Sequence, residues 1–302
     1  MTPPFLLPHD QIRIVSPSGT IDPAYIDGAK KTLASWGLNA TEGEFARHEY
    51  GRFGGTKEQR IADMQAALDD AEVRAILCSR GGYGVAQIID KLDFTKFKAN
   101  PKWLIGFSDI TILHNAISNL GVASIHGIMA KHLTELPADC EQVQGLRNIL
   151  FGELSQYQIP AHALNRTGKA EGKLVGGNLS VLVGMIGTPF DLPYEGNVLF
   201  LEEIAEKPYH IDRMMQQLRL SGALSKISGL ILGQFSDCDE DPLMKQTIAE
   251  IIFENVKAYN YPVCFSFPAG HVDYNLPIVL GEKVEIELTK EQVTVRFSVL
   301  KS

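Results

Sequence analysis

The chain has 302 residues, which at roughly 150 residues per domain corresponds to about two domains. Hydrophobic residues make up 45% of the sequence and charged residues 21%, a composition that excludes a disordered or low-complexity protein. The net charge of -8 argues against nucleic-acid binding, and no Lys/Arg run exceeds two residues, which argues against a polybasic membrane patch.

The cysteines and the N-terminal segment indicate the cellular compartment. Cys78, Cys140, Cys238 and Cys264 form no C-x-x-C pair and lie far apart, which is typical of reduced thiols rather than of a disulfide framework or a zinc site. No Lys or Arg precedes Arg13, so the N-terminal segment lacks the basic region of a signal peptide. No stretch approaches the ~18 apolar residues that a membrane span requires. The sequence therefore predicts a cytoplasmic protein.

The first half of the chain alternates predicted strands and helices. Short apolar runs predict strands at 11–16, 73–78 and 103–105. Apolar residues at helical spacing predict helices at 26–33, 61–68, 85–92 and 110–117. Thr56 and Gln59 form a candidate capping box at the start of the second of these helices. This alternation predicts a parallel sheet with helices on both faces.

Residues 136–170 are mostly polar and interrupted by Gly and Pro, with one short predicted helix at 143–150. We interpret them as a linker between an N-terminal domain of residues 1–135 and a C-terminal domain of residues 171–302. In the second half, apolar runs predict strands at 198–201, 230–232 and 263–267, and Pro208 predicts the start of a helix. Alternating residues at 284–288 and 293–297 predict a C-terminal hairpin. The predicted fold class is α/β.

The segment LIGFSD (104–109) places Ser108 at a predicted strand-to-helix turn. Such a turn exposes the serine hydroxyl and puts the next backbone N–H groups at a helix N-terminus, which suits a nucleophile beside an oxyanion site. The alternative is that Ser108 or Asp109 only caps the helix. The match to the G-x-S-x-G motif is partial, because Ile110 replaces the last glycine.

A serine nucleophile needs a base and an acid that orients it. His271 follows the predicted strand at 263–267. It therefore lies beyond the carboxyl end of a strand, where the active sites of α/β sheets are found. The other histidines are interpreted as structural or surface residues, with His132 exposed. His126 follows a predicted strand and is interpreted as buried and satisfied, with a place in the lining of a cleft as the alternative. Glu202 and Glu203 end the predicted strand at 198–201, where a carboxylate is costly unless it is paired. Periodicity does not choose between these two acids.

The loop SRGGYG (79–84) separates a predicted strand from a predicted helix. Its glycines allow backbone N–H groups to approach a phosphate or to supply a second oxyanion donor. The loop is neither G-x-G-x-x-G nor a Walker A motif, and a tight connection without a ligand is the alternative. Arg80 has the chemistry to bind a carboxylate or to form a structural ion pair. No metal-ligand motif is present in the sequence.

Taken together, segments spanning nearly the whole chain resemble the LD-carboxypeptidase family of serine peptidases, which includes muramoyltetrapeptide carboxypeptidases and microcin-immunity peptidases. The segments are SPSG near residue 16, AILCSRGGYG at 75–84, WLIGFSDIT at 103–111, SIHGIM at 124–129, GKLVGGNLSVL at 172–182, LFLEEIAEKPYHIDRMMQQL at 199–218 and FPAGHVDYNLPI at 267–278.

The resemblance implies a Ser-His-Glu triad of Ser108, His271 and Glu202, with Glu202 preferred to Glu203 because the family position is the first acid after the apolar run. It implies oxyanion donors at the backbone N–H groups near Gly82 and Asp109. It also implies that the terminal carboxylate of the substrate is held by Arg80 or by the loop at Gly81 and Tyr83.

The resemblance further implies a parallel α/β N-terminal domain of flavodoxin-like or glutaminase-like type. A swivelling-type α/β C-terminal domain would follow, with the active site in the cleft between them. It implies a homodimer without cofactor or metal that removes the terminal D-alanine of murein tetrapeptide during cell-wall recycling. One alternative is a microcin-immunity-type peptidase acting on a peptidyl-nucleotide, and another is a non-catalytic binding protein for a small ligand.

Overall fold

The computed structural model describes residues 1–153, 156–239 and 241–298. These residues form two sheets with helices packed on them. The first sheet has six strands in the order β11-β5-β4-β3-β1-β2, of which β1 to β5 are parallel and β11 is antiparallel. Its strands are β1 (Gln11–Val15), β2 (Asn39–Glu42), β3 (Val73–Cys78), β4 (Trp103–Gly106), β5 (Ser124–His126) and β11 (Ile278–Leu280).

Helices cover both faces of the first sheet, which confirms the predicted architecture. The helices of this half are α1 (Pro23–Ser35), α2 (Lys57–Asp69), α3 (Thr95–Ala99), α4 (Thr111–Asn119) and α5 (Ala130–Glu135). Apolar residues of α1 and α5 join one core cluster, and those of α2 and α4 join another. Strand β4 is buried along its whole length because both of its faces are covered.

The start of α2 confirms the predicted capping box. The Thr56 hydroxyl accepts from the Gln59 backbone N–H at 3.3 Å, and the Gln59 side chain accepts from the Thr56 N–H at 2.9 Å. The predicted helix at 85–92 is wrong in type, because the segment forms two 3₁₀ turns, Val85–Gln87 and Ile89–Lys91. The Ile88 N–H donates to the Val85 carbonyl at 3.0 Å, an i to i+3 bond, while the Val85 N–H donates to the Asp109 carboxylate at 2.9 Å.

The second sheet has seven strands in the order β10-β9-β8-β7-β12-β13-β6. Its strands are β6 (Gln156–Pro160), β7 (Gly168–Asn178), β8 (Val198–Ile204), β9 (Gly229–Ser236), β10 (Val263–Cys264), β12 (Lys283–Leu288) and β13 (Gln292–Phe297). Its helices are α7 (Leu179–Val183), α8 (Pro208–Leu220), α9 (Ala223–Lys226) and α10 (Ile248–Val256). Strands β7 to β10 are parallel, and β12 and β13 form the predicted hairpin.

The segment interpreted as a linker contains regular structure. Helix α6 (Glu141–Leu150) places four apolar side chains in the larger core cluster, and β6 pairs with β13. The predicted strand at 263–267 is shorter than expected, because Ser266 adopts a left-handed conformation with φ of 59° and ends it. No helix in the described ranges combines the length and the apolar character needed to cross a membrane.

Strand β11 connects the two sheets. The chain leaves β10 in the second sheet, passes through the loop that carries His271, and pairs as β11 with β5 in the first sheet before it returns as β12. Ile278 lies opposite His126 and Leu280 opposite Ser124 in this antiparallel pair. The loop at 265–277 is therefore held at one end by each sheet.

Gly176 permits a close approach of β7 to β8, and its substitution tests this packing. A Cβ at Gly176, where φ is 132°, would lie 1.9 Å from the Phe200 carbonyl oxygen, whereas a Cβ at Gly187, where φ is 79°, would meet no atom within 4 Å. We expect Gly187→Ala to lower the free energy of unfolding by about 1 kcal/mol through backbone strain alone. We expect Gly176→Ala to cost about 2 kcal/mol more.

Urea unfolding followed by circular dichroism measures both free energies. Equal destabilisation by the two substitutions would contradict the close approach at Gly176.

Candidate active site

The turn between β4 and α4 presents Ser108 in a strained conformation. Its φ of 68° lies in the left-handed region, which non-glycine residues seldom adopt outside functional turns. A 3₁₀ turn, Ser108–Ile110, then leads into α4. The Ser108 hydroxyl makes no capping bond, and no described residue hydrogen-bonds to it. The side chain of Ser108 therefore does not cap the helix, contrary to the alternative interpretation.

A cavity of about 530 Å³ opens beside Ser108. His271, Arg80, Gly81 and Gly82 also line it, so the structure brings most of the predicted site residues to one place. The remaining lining residues are Ile21, Asp22, Tyr25, Ser79, Phe107, Met129, Lys131, His132 and Ile204. In the described part of the chain, no group of three or more His, Cys, Asp or Glu side chains is placed to hold a metal ion.

His271, which lines the cavity, is hydrogen-bonded to Glu202, which does not. Its Nδ1 lies 2.7 Å from Glu202 Oε2, and the Glu202 side chain is fully buried. A carboxylate accepts hydrogen bonds, so Nδ1 carries the proton and Nε2 is left as an acceptor. The Phe107 ring, next to Ser108 in the chain, meets the His271 ring edge-to-face at a centroid distance of 4.8 Å.

A β-bulge separates the roles of Glu202 and Glu203. The register of β8 against β9 shifts between Leu201 and Glu203, so simple alternation fails at this point. Glu203 accepts from the Asn178 side chain at 2.8 Å and from the Ser180 N–H at 2.7 Å, which ties it to the start of α7. Among the two acids, only Glu202 contacts a histidine.

The two acids also differ in their protonation. Burial favours the neutral form of Glu202, but the neighbouring His126 and His271 rings outweigh burial and lower the pKa of Glu202 to about 2. Burial raises the pKa of Glu203 above its ordinary value, and its hydrogen bonds oppose this change only in part. Glu202 is therefore a carboxylate at neutral pH.

The SRGGYG loop packs directly against Ser108. A Cβ at Gly81 would lie 2.7 Å from Ser108 Cβ and 3.0 Å from Ser108 Oγ, so a side chain at Gly81 would fill the space beside the hydroxyl. Gly82 has a φ of 117°, which glycine adopts without strain. The backbone N–H groups of Gly82 and Asp109 make no hydrogen bond within the described ranges.

Sequence reasoning missed a clamp that holds this loop. The Arg60 guanidinium, which is 2% exposed, donates to the Pro17 carbonyl at 3.1 Å and to the Gly84 carbonyl at 2.8 Å. The Asp109 carboxylate accepts from the Ser18 hydroxyl at 2.6 Å and from the Val85 N–H at 2.9 Å. The available signal was an arginine on the apolar stripe of α2, one turn before Met64.

The other predicted residues lie in different surroundings. Arg80 is exposed at the cavity and donates to the Thr20 carbonyl at 2.9 Å. Tyr83 is 49% exposed, packs beside Phe53 and does not line the cavity. The expectation of an exposed His132 is wrong, because α5 brings its ring into the cavity wall, where burial lowers its pKa.

The expectation for His126 is wrong in one respect. The side chain is fully buried, as expected, but neither ring nitrogen has a hydrogen-bond partner among the described residues. Its Nε2 lies 4.0 Å from Glu202 Oε1.

Comparison with known proteins gives matches over nearly the whole chain. Residues 12–127 match the family model of the LD-carboxypeptidase N-terminal domain, and residues 171–286 match that of the C-terminal domain. The chain is 32% identical to a probable murein peptide carboxypeptidase of Bacillus subtilis (strain 168), over 96% of this chain and 92% of that protein. It is 29% identical to a murein tetrapeptide carboxypeptidase of Pseudomonas aeruginosa, over 92% and 93% respectively.

Solved structures agree with this assignment. A muramoyltetrapeptide carboxypeptidase from Oxalobacter formigenes superposes with a TM-score of 0.86 at 26% identity, covering 95% of this chain and 98% of that one. An MccF-like protein from Bacillus anthracis superposes with a TM-score of 0.87 at 22% identity, covering 99% and 100%, and shares the fold. With both domain models matched in chain order, this chain belongs to the LD-carboxypeptidase family and is a serine carboxypeptidase.

Proposed function

We propose that this carboxypeptidase removes the terminal D-alanine of murein tetrapeptide, with Ser108 as nucleophile, His271 as general base and Glu202 as the acid that orients the base. One observation carries the assignment of residues. The 2.7 Å contact between His271 Nδ1 and Glu202 leaves Nε2 as an acceptor on a ring that lines the same cavity as the strained Ser108.

The chemistry that follows is acyl transfer through an acyl-enzyme. Ser108 Oγ attacks the peptide carbonyl carbon as His271 Nε2 takes its proton, and the resulting oxyanion is bound by the N–H groups of Gly82 and Asp109. His271 then gives the proton to the leaving D-alanine amine. Water, activated by the same imidazole, releases the shortened peptide. Glu202 holds the proton-bearing Nδ1 and stabilises the imidazolium.

The charges of the cavity support a substrate with carboxylates. Arg80 and Lys131 line it, and Asp22 is the one acidic side chain among its described lining residues. A carboxypeptidase must bind the terminal carboxylate of its peptide, and the Arg80 guanidinium, with Gly81 in the same loop, is our proposed site for it. Tyr83 lies outside the cavity and is not part of this proposal. The similarity to carboxypeptidases named for murein peptides supports the same substrate class.

The rival substrate is a peptidyl-nucleotide, as in microcin-immunity peptidases. The structural likeness to MccF proteins extends to the fold. No tryptophan lines the cavity in the described residues, and Trp103 is fully buried on strand β4 of the first sheet, so no indole is available there to stack on a base. This observation favours the murein peptide. We further propose that the enzyme acts in the cytoplasm, as a homodimer.

Substitution of the nucleophile tests the proposed reaction. We expect Ser108→Ala to lower kcat for D-alanine release by at least about 10³-fold, because no other group forms the acyl-enzyme. Mass spectrometry of L-Ala-γ-D-Glu-meso-diaminopimelate-D-Ala after incubation measures the loss of one alanine. Ser118→Ala, on α4 and away from the cavity, is the matched control and should keep wild-type activity. A folded Ser108→Ala variant that still releases D-alanine at the wild-type rate would refute the assignment.

Substitution of Glu202 and of its neighbour Glu203 tests which glutamate is the acid of the triad. We expect Glu202→Gln to lower kcat by about 10²- to 10⁴-fold, because an amide neither fixes the His271 tautomer nor stabilises the imidazolium. Glu203→Gln should keep kcat within about tenfold but lower the melting temperature, since Glu203 holds backbone and side-chain donors near α7. Steady-state kinetics and thermal unfolding of both variants measure this; the reverse pattern of kcat losses would reassign the acid.

The low pKa of Glu202 predicts the shape of the pH profile. With a pKa of about 2, Glu202 stays ionised throughout the range in which an imidazole titrates. As pH falls, protonation of Glu202 should therefore add nothing to the decline of kcat/KM. The logarithm of kcat/KM plotted against pH should have a limiting acid slope of 1 down to about pH 4. A slope of 2 in that range would mean that the carboxylate also titrates there.

A further inference from the structure

The buried side chains of His126 and of Glu202, the acid of the proposed triad, face each other without a hydrogen bond. Neither ring nitrogen of His126 has a partner in the described residues, and neither does Glu202 Oε1. The gap from His126 Nε2 to Glu202 Oε1 is 4.0 Å, and both side chains are 0% exposed. A buried polar atom without a partner costs free energy, and a buried carboxylate with one unsatisfied oxygen costs more.

The surroundings of His126 leave Glu202 as its available partner. The Phe107 and Phe200 rings pack on the imidazole at centroid distances of 5.6 Å and 5.0 Å. His114, the next titratable ring, lies 6.5 Å away and uses both of its nitrogens on Ser124 and on the Gly106 carbonyl. Among the described residues, these neighbouring rings therefore offer no competing acceptor to His126.

His126 and Glu202 belong to different sheets. His126 ends β5, beside Gly106 of β4 and opposite Ile278 of β11, whereas Glu202 lies on β8. Gly106 is two residues before Ser108, so His126 is fixed to the same part of the first sheet as the proposed nucleophile. A contact between His126 and Glu202 would hold the acid of one sheet at a set distance from the serine of the other.

We propose that His126 is a positioning residue, whose Nε2–H donates to Glu202 Oε1 in the active arrangement. This proposal rests on the assignment of Glu202 as the triad acid. The gap must shorten by about 1 Å, and hydrogen bonds in active sites often tighten in this way when substrate binds. Glu202 would then be held through both oxygens, one by His126 and one by His271.

The second bond has a chemical consequence. A carboxylate held through one oxygen can rotate and withdraw from His271 Nδ1, whereas a carboxylate held through both keeps Oε2 directed at the base. The benefit is largest in the transition state, when His271 becomes an imidazolium. Loss of the His126 donor should therefore lower kcat and leave KM nearly unchanged.

Two substitutions of similar length separate the donor from the packing. His126→Gln keeps an N–H near the position of Nε2, and His126→Met fills a similar volume without a donor. We expect the Gln variant to keep kcat within about threefold of wild type and the Met variant to lose about 10- to 100-fold. His126→Asn, whose amide is one methylene too short to reach Oε1, should lose as much as Met and replaces it if the Met variant does not fold.

The same substitutions in a Glu202→Gln background provide the decisive comparison. A residue that acts through Glu202 should have little further effect there, so Gln and Met at His126 should agree within about threefold. Equal losses for Gln and Met in the wild-type background, or an equal Met effect in both backgrounds, would overturn the proposal. Ser108→Ala is assayed in parallel. If this variant stays active, the proposed triad has failed. If it is inactive, the substitutions at His126 test the positioning role separately from the triad.

Discussion

The pairing of β11 with β5 is the constraint on which the site depends. Through it, a three-residue strand from the second half of the chain forms the edge of the first sheet, and the loop with His271 is fixed at both ends. Ser108, in the turn that follows the neighbouring strand β4, thereby lines the same cavity as His271. Each sheet by itself holds only part of the proposed triad, since Ser108 follows strand β4 of the first sheet and Glu202 lies on strand β8 of the second.

The site also requires that the buried Glu202 carboxylate be stabilised in its charged form. Glu202 has no access to solvent, so its ionised form depends on the groups packed around it rather than on water. The positively polarised His271 N–H supplies part of this stabilisation, and His126 stands where the rest would come from. The same reasoning explains Asp109, which accepts from Ser18 and from the Val85 N–H and so joins the turn at Ser108 to the loop beside it.

Local patterns predicted the parts of the structure that depend on local physics. Strand β3 and the capping box at Thr56 follow from composition and spacing, and the SRGGYG loop was found from its glycines. The choice between Glu202 and Glu203 lay beyond periodicity because a β-bulge breaks the alternation there. Strand β11 and the Arg60 clamp were missed because each depends on a partner far away in the sequence. A resemblance of whole segments, rather than any spacing, singled out Glu202.

The late position of β11 in the chain has a consequence for synthesis. Roughly half the chain separates β5 from the strand that pairs with it, so the first sheet leaves the ribosome with an unpaired edge. A nascent chain that has just reached β5 carries Ser108 but lacks Glu202 and His271. The strand that closes the edge follows directly after the loop that delivers His271. Completion of the sheet and delivery of His271 to the cavity are thus coupled, so the three residues of the proposed triad cannot meet until the segment through β11 has been translated.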